Sequence, residues 1–421
     1  MVILVILGIS AIVAVLVFAG VVPWLGNSKA KFGGEVVAWG TLPKRSADAF
    51  ILSFNKKHAN EFVFNYVEKD RESFDKELTE ALASGVGPDL IILPQDLIVR
   101  YQNKIFTIPF DSYPLRTFKD NFVEEGELYV TPDGVLGLPL YVDPIIMYWN
   151  RDIFSSLGIA RPPLYWDELL TLAPEISLTD SVGNINRSAV SFGEFSNINN
   201  AKDVLSMLIL QTGSKIVDFV EDRGFVSALS GSGPESALRF FTQFSDPVKR
   251  TYSWNKSLPT SKDYFASGKL AVYFGPASEL SEIVAKNPHL NFDLAEVPQV
   301  REGGIRATFG NISAISVLKA SKKIETAFVA AFALSGEESA SDIAEAIKLA
   351  PARRSLLGVD KSDPYSPVFY KGALISKGWL DPNPLETERI FQVMVEGVTS
   401  GRDSESGAIR RAHLELDRLL R

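Results

Sequence analysis

The sequence predicts an α/β protein of two lobes behind an apolar N-terminal span, and three observations carry that expectation. Strand and helix patterns alternate from Glu35 to Leu93. The stretch from Gly137 to Leu169 joins two strand-like runs through Pro144 and continues into two helix starts. A charge-free run, Val2 to Val22, precedes both.

No side chain from Met1 to Ser28 is charged. Val2 to Val22 is about 21 residues, or roughly 31 Å as a helix, enough to cross a bilayer core of about 30 Å. Its length and the lack of a basic leading region favour an uncleaved anchor over 1–28. Val17-Phe18-Ala19 offers the alternative, a signal peptide cleaved at small residues. Lys29 and Lys31 follow the span, but long domains translocate largely regardless of such charges. Residues 29–34 then read as a linker.

Glu35 to Trp39 reads as a first strand and Ser46 to His58 as an amphipathic helix. Phe62 to Val67 has the β-branched and aromatic content of a strand, Asp70 to Ser84 reads as a helix, and Asp89 to Leu93 as a buried strand. Strands joined by such helices make a parallel sheet whose carboxyl-end loops can hold a ligand. Those loops carry Trp39-Gly40-Thr41 and Pro94-Gln95-Asp96. Thr131-Pro132-Asp133-Gly134 is a turn tetrapeptide inside a hairpin, Leu128 to Leu140.

The chain leaves this lobe at Tyr141 to Pro144. Proline cannot donate to a sheet ladder, so Asp143-Pro144 reads as a break between two sheets. The order of residues there is specific: Gly137-Leu138-Pro139, Asp143, Tyr148-Trp149-Asn150-Arg151-Asp152-Ile153-Phe154, Gly158-Ile159, Pro162-Pro163 and Trp166-Asp167-Glu168-Leu169. It resembles the crossover of the extracellular solute-binding proteins of ABC importers, of the sugar-binding, maltose-binding-protein-like type. It departs at Tyr165, where that family usually places a Thr or Ser helix cap. The resemblance implies a periplasmic-binding-protein-like fold, with two α/β lobes on a multi-strand hinge.

Further resemblances follow along the chain. Phe265 to Gly275 is similar to the family's F-x-x-G-K segment and implies a second crossover near Phe274 to Ala277. Phe309 to Ile315 is similar to the segment that carries a third. Ala201 to Gln211, Glu235 to Phe244 and Ile324 to Leu334 read as helices, Phe292 to Val297 as a strand, and Phe391 to Arg421 as terminal amphipathic helices. The implied division is 35–140 with 278–312 as lobe 1, and 141–277 with 313–421 as lobe 2.

Composition narrows the function. A net charge of -8 without a Lys/Arg cluster argues against nucleic acid. No cysteine is present, which removes thiolate metal sites, a cysteine nucleophile and a lipid-modified cysteine anchor. His58, His289 and His413 lie far apart, without zinc-site or Ser-His-Asp spacing. Ser230-Gly231-Ser232-Gly233-Pro234 lacks the lysine of a phosphate loop and reads as a plain loop.

Sugar recognition needs aromatic faces and planar polar groups. By position and by the resemblance, Trp39, Tyr141, Trp254 and Phe274 are candidate platforms, and Thr41, Gln95, Asp96, Asp143, Asn311 and Arg353 candidate polar contacts. Each has a structural alternative: an aromatic beside a strand is usually core, Asp143 could cap backbone, and Arg353 could pair with surface acids.

What the resemblance implies is a receptor without enzymatic activity, metal or cofactor. It would be monomeric, membrane-tethered with its body on the extracytoplasmic side, and would close by hinge motion over a small solute, most naturally a carbohydrate, for an ABC permease. The other readings are a membrane-anchored scaffold or sensory domain on the same fold and, more remotely, a hydrolase.

Overall fold

The computed structural model describes residues 34–358 and 363–421. The anchor expected over 1–28 and the linker over 29–34, apart from Gly34, lie outside these residues. Among the described residues no helix is long and apolar enough to cross a membrane.

In chain order the principal elements begin with β1 (Glu35–Gly40), α1 (Lys44–Lys57), β2 (Val63–Glu68), α2 (Phe74–Ala83) and β3 (Leu90–Pro94). The long strand β4 (Leu138–Asn150) is followed by α3 (Trp166–Ile176), β5 (Ile185–Val190), α4 (Ala201–Gln211) and α5 (Ser232–Thr242). Then come β6 (Leu270–Pro276), β7 (Phe292–Ala295), β8 (Thr308–Val317), α6 (Ile324–Ser335) and α7 (Glu337–Ile347). Two helices end the chain, α8 (Pro384–Thr399) and α9 (Glu405–Leu419).

Two compact units result. The first takes Met1–Val142 and Asn311–Asp360, the second Asp143–Gly310 and Lys361–Arg421, over their described residues.

In the first unit β1 runs parallel to both β2 and β3, the sheet expected from the β-α-β-α-β pattern. Alternate side chains of β1 and β2, among them Val36, Ala38, Phe64 and Tyr66, are buried, while α1 turns Ala47, Phe50 and Phe54 inward. Residues Ser313–Val317 of β8 pair antiparallel with Pro94–Leu90. The hairpin forms at Gly134, whose φ of +147° brings its Cα against Ile108; an added Cβ would stand 2.1 Å from the Ile108 oxygen.

In the second unit the far half of β4 lies between two antiparallel partners: Ile145–Trp149 pair with Pro276–Val272, and Met147–Asn150 with Ala295–Phe292. On its other side β6 runs parallel to β5. Phe192, Phe241, Phe244, Trp166 and Phe274 form an aromatic core there, with Phe192 and Phe274 stacked at 5.3 Å. Such rings bury 150–250 Å² each, so the cluster carries much of this unit's hydrophobic stabilisation.

Several sequence expectations are corrected. Pro144 is not a break, because β4 continues through it. Tyr141 and Val142 pair with Pro351 and Ala350, Ile145 onward pairs with β6, and Pro144 falls where these ladders change over. A missing N–H costs least at such a point.

The expected second crossover at Phe274–Ala277 does not occur: β6 and β7 both pair with β4, which keeps 278–310 in the second unit. Conversely, α6, α7, Pro351-Ala352-Arg353-Arg354 and β8 from Asn311 onward belong to the first unit, where Ser313–Val317 pair with β3 and Ala350–Pro351 with β4. Ser232-Gly233-Pro234 is the first turn of α5 rather than loop, a position that suits proline.

At Tyr165 no side chain caps α3; the Trp166 N–H of its first turn donates to the Gln299 oxygen at 3.2 Å, and the Glu168 carboxylate accepts from the Leu164 N–H at 3.1 Å just before the helix. Asn150 caps the preceding helix by accepting from the Ile153 N–H at 3.0 Å.

Candidate functional site

The carboxyl ends of β1, β2 and β3 collect polar and aromatic side chains on the first unit. Trp39, next to last in β1, is half-buried, and Lys69, just past β2, places its ammonium 3.8 Å from the indole centroid. The ladder fixes this approach, since the Lys69 N–H donates to the Gly40 oxygen at 2.8 Å. Glu77 of α2 holds the ammonium at 2.7 Å, and that contact, with the Ser73 hydroxyl, keeps its carboxyl below the usual range.

Beyond β3 the chain makes a 3₁₀ turn, Gln95–Leu97. It presents Gln95, which is buried, and Asp96, whose carboxylate lies 3.9 Å from the Arg71 guanidinium. Thr41 is half-buried just past β1.

Tyr141 is buried in β4 near two other phenols. The Tyr129 hydroxyl donates to the Leu93 oxygen at 2.6 Å, and Tyr66 donates to Leu42 at 2.9 Å. Burial, followed by the fields of Tyr141, Asp96 and Glu125, raises the Tyr129 phenol well above its ordinary range. Burial and Tyr141 do the same to Tyr66. These phenols therefore act as neutral donors. Tyr141, Asp96 and the buried Glu125 share one electrostatic neighbourhood.

A shallow recess between α1 and α7 is lined by Leu42, Phe50, Tyr66, Ile92 and other largely apolar groups. It offers a polyol little beyond van der Waals contact.

On the second unit the carboxyl ends of the parallel strands β5 and β6 form another polar assembly. The segment 191–200 leaves β5 and is braced by its own amides. Asn197 donates to the Asn255 and Leu258 oxygens at 2.9 and 3.1 Å, and Asn199 accepts from the Lys262 N–H at 3.0 Å. Asn200 adopts a left-handed conformation, φ 58°, and its amide donates to the Tyr273 hydroxyl at 3.1 Å and to Glu279 at 3.2 Å. Lys262 completes the set 3.3 Å from Glu279. Asp143 is anchored by the Ser278 N–H at 2.9 Å, so its backbone-capping alternative is realised.

Two expected contacts, Trp254 and Phe274, serve the interior instead, and a third, the half-buried Arg353, is taken up by partners within the first unit. Trp254 is 0% exposed, donates to Asn197 at 3.1 Å and packs edge-on against Tyr264. Phe274 lies inside β6 in the aromatic core, because the crossover expected there is absent. Arg353 donates to the Ser335 oxygen and covers the Phe122 ring at 5.2 Å, and burial lowers its pKa. Asn311 is half-buried in β8 where the chain enters the first unit.

The residues missed from sequence are Lys69, Glu125 and Tyr129 on the first unit, and Asn197, Asn199, Asn200, Lys262 and Glu279 on the second. The amide run Asn197-Ile198-Asn199-Asn200 directly after a strand was an available signal. Glu125, inside an acidic run, gave none.

The sequence profile of bacterial extracellular solute-binding proteins matches residues 40–338, and the chain belongs to that family. Binding proteins of Brucella abortus (strain 2308) and Brucella suis biovar 1 (strain 1330) are each 24% identical to it over 255 residues, 60% of this chain. That match spans 59% of the length of these curated relatives.

Among solved structures, the cyclic alpha-maltosyl-1,6-maltose binding protein of Arthrobacter globiformis has a TM-score of 0.76 at 16% identity, covering 92% of this chain and 98% of its own. The GacH receptor of Streptomyces glaucescens GLA.O, described unliganded and with acarbose, gives 0.70 at 18% identity over 92% and 98%. MalE of Bdellovibrio bacteriovorus, bound to maltotriose, gives 0.67 at 15% identity over 91% and 99%. At these identities the likeness establishes the periplasmic-binding-protein-like α/β fold.

Proposed function

We propose that this chain is the extracytoplasmic solute receptor of an ABC importer and that its cargo is a carbohydrate. The reading is supported by Trp39, Thr41, Gln95 and Asp96 standing at the carboxyl ends of the adjacent parallel strands β1 and β3, with Asp96 and Tyr141 both acting on the Tyr129 phenol. Amide, carboxylate and phenol groups beside an indole are the groups that hydroxyl-rich rings require. Family membership and the sugar ligands of the structural neighbours support it. Asp143 and Asn311, at the passages between the units, are proposed as further contacts.

The receptor makes and breaks no covalent bond, and the charge-free run Val2–Val22 is its membrane anchor. Fractionation of cells carrying the full chain or a version starting at residue 29 tests the anchor. Only the full chain is expected with the membranes.

A sensory or scaffold role has one observation in its favour. Lys69 occupies one face of Trp39, and Trp254 and Phe274 are interior, so fewer bare aromatic faces remain than the sequence suggested.

A thermal-shift screen of residues 29–421 against mono- and oligosaccharides separates the two readings. A sugar at a hundred times its Kd should add about 2.7 kcal/mol of stability. Loss of that shift in folded Trp39→Ala and Asp96→Asn variants supports the receptor, whereas silence across all sugars favours the scaffold.

A further inference from the structure

Glu194 is only 8% exposed and lies in the segment that leaves β5. Its Oε2 atom is buried and accepts no hydrogen bond; the nearest cation, the Lys256 ammonium, stands 3.8 Å away. The same ammonium is 3.6 Å from Glu396 of α8, so one lysine is divided between two carboxylates from different elements. Lys256 and Glu396 are the charged groups that act on the Glu194 carboxyl. Gln392 also donates to Glu396, at 3.2 Å.

The segment is held closely on either side of Glu194. Gly193 has φ +103°, and a Cβ there would stand 2.5 Å from the Ser245 nitrogen. Three residues further on, Asn197 is tied to Trp254, Asn255 and Leu258, the stretch that contains Lys256. Strain at Glu194 cannot be relieved by moving the backbone without breaking these contacts.

We propose that Glu194, Lys256 and Glu396 form a proton-operated clamp on segment 193–200, firmer in mild acid than at neutral pH. An ionised carboxylate in this place is desolvated, has half a cation and faces a second negative charge. A neutral carboxyl removes the desolvation cost and the repulsion from Glu396, and leaves Lys256 wholly to Glu396. Burial, moderated by Lys256 and augmented by Glu396, accordingly raises the Glu194 carboxyl above its ordinary range.

The sign follows from linkage. With its folded-state pKa raised, Glu194 contributes stability that is complete below the ordinary carboxylate range and is lost as pH rises through the raised value. That the clamp would tune solute capture rests on the proposed function, because Asn197, Asn199 and Asn200 lie within it. An extracytoplasmic body would meet the acidity of its surroundings directly.

The experiment needs no solute and so stands apart from the carbohydrate reading. Amide hydrogen exchange of 193–200, corrected for the intrinsic effect of pH, is measured on the full chain at pH 5 and pH 7.5. Protection in the wild type is expected to rise several-fold in acid, as the carboxyl takes up its proton. Glu194→Gln should keep the acid-like protection at both values. Lys256→Met, which leaves the ionised carboxylate without its cation, should widen the difference. Equal wild-type protection at the two pH values, or a Glu194→Gln segment that exchanges faster than wild type at pH 7.5, overturns the clamp.

Discussion

The Lys69 ammonium sits over the Trp39 indole at 3.8 Å, and Glu77 pins it there at 2.7 Å. The cation therefore competes with any sugar ring for that face. Lys69→Met should cost about 1 kcal/mol in urea unfolding, the worth of a partly desolvated cation–π contact. It should also change carbohydrate affinity measured by calorimetry. An unchanged unfolding midpoint and unchanged affinity would remove Lys69 from both roles.

Lys202 and Asp381 form a buried pair, Nζ to Oδ2 at 2.9 Å, with Thr387 at 3.2 Å completing the shell of the ammonium. Burial alone would lower the lysine pKa, but Asp381, Asp203 and Glu388 outweigh it and hold the value above the ordinary range. Its stabilisation is thus complete below the unfolded lysine pKa and fades only as pH rises through the higher folded value.

Lys202→Met strands the Asp381 carboxylate and should cost about 3–5 kcal/mol at neutral pH. The double variant with Asp381→Leu should recover part of that loss. Denaturant titration of the four proteins of this cycle tests the coupling, and additive losses would refute it.

Gly193→Ala should destabilise the second unit. The side chain meets both an unfavourable φ and the Ser245 backbone, a strain of about 1–3 kcal/mol. Gly183→Ala is the control: its φ is +91°, but nothing lies within 4 Å of the added Cβ. A loss at Gly193 no larger than at Gly183 would show that the Ser245 contact yields freely.

Trp254 and Trp39 should separate stability from recognition. Trp254→Ala removes an interior ring and the donor to Asn197, and should cost about 3–5 kcal/mol. Trp39→Ala should cost less and act mainly on binding. A destabilised Trp254 variant that keeps wild-type sugar affinity below its unfolding temperature fits this division, and the reverse pattern contradicts it.

Local pattern was enough for much of the fold. Ala201–Gln211 coincides with α4 because its apolar spacing has one solution, and β1, β2 and β3 fall within a residue or so of their sequence positions. What failed depended on partners distant in the chain. Phe274 reads equally well as a strand leaving a lobe or staying in it, and only pairing with Ile145–Trp149 decides.

Pro144 reads as a terminator because proline breaks ladders, yet here two ladders already change over. Trp39 and Asp96 stand near the carboxyl ends of β1 and β3, where the strand pattern puts them. The place of Trp254 was not legible, since a loop tryptophan carries no mark of the Asn197 that draws it inward.

The interleaving of the two units also bears on how the protein is made. The antiparallel neighbour of β3 is Ser313–Val317, so a ribosome has delivered every residue of the first unit up to Val142, and then the whole of 143–310, before that sheet can gain the strand. Throughout that interval Leu90–Pro94, an unbroken apolar run, lacks its native partner on that side. Half-made chains would depend on something else to shield it, a demand that a protein with its lobes in tandem would not impose.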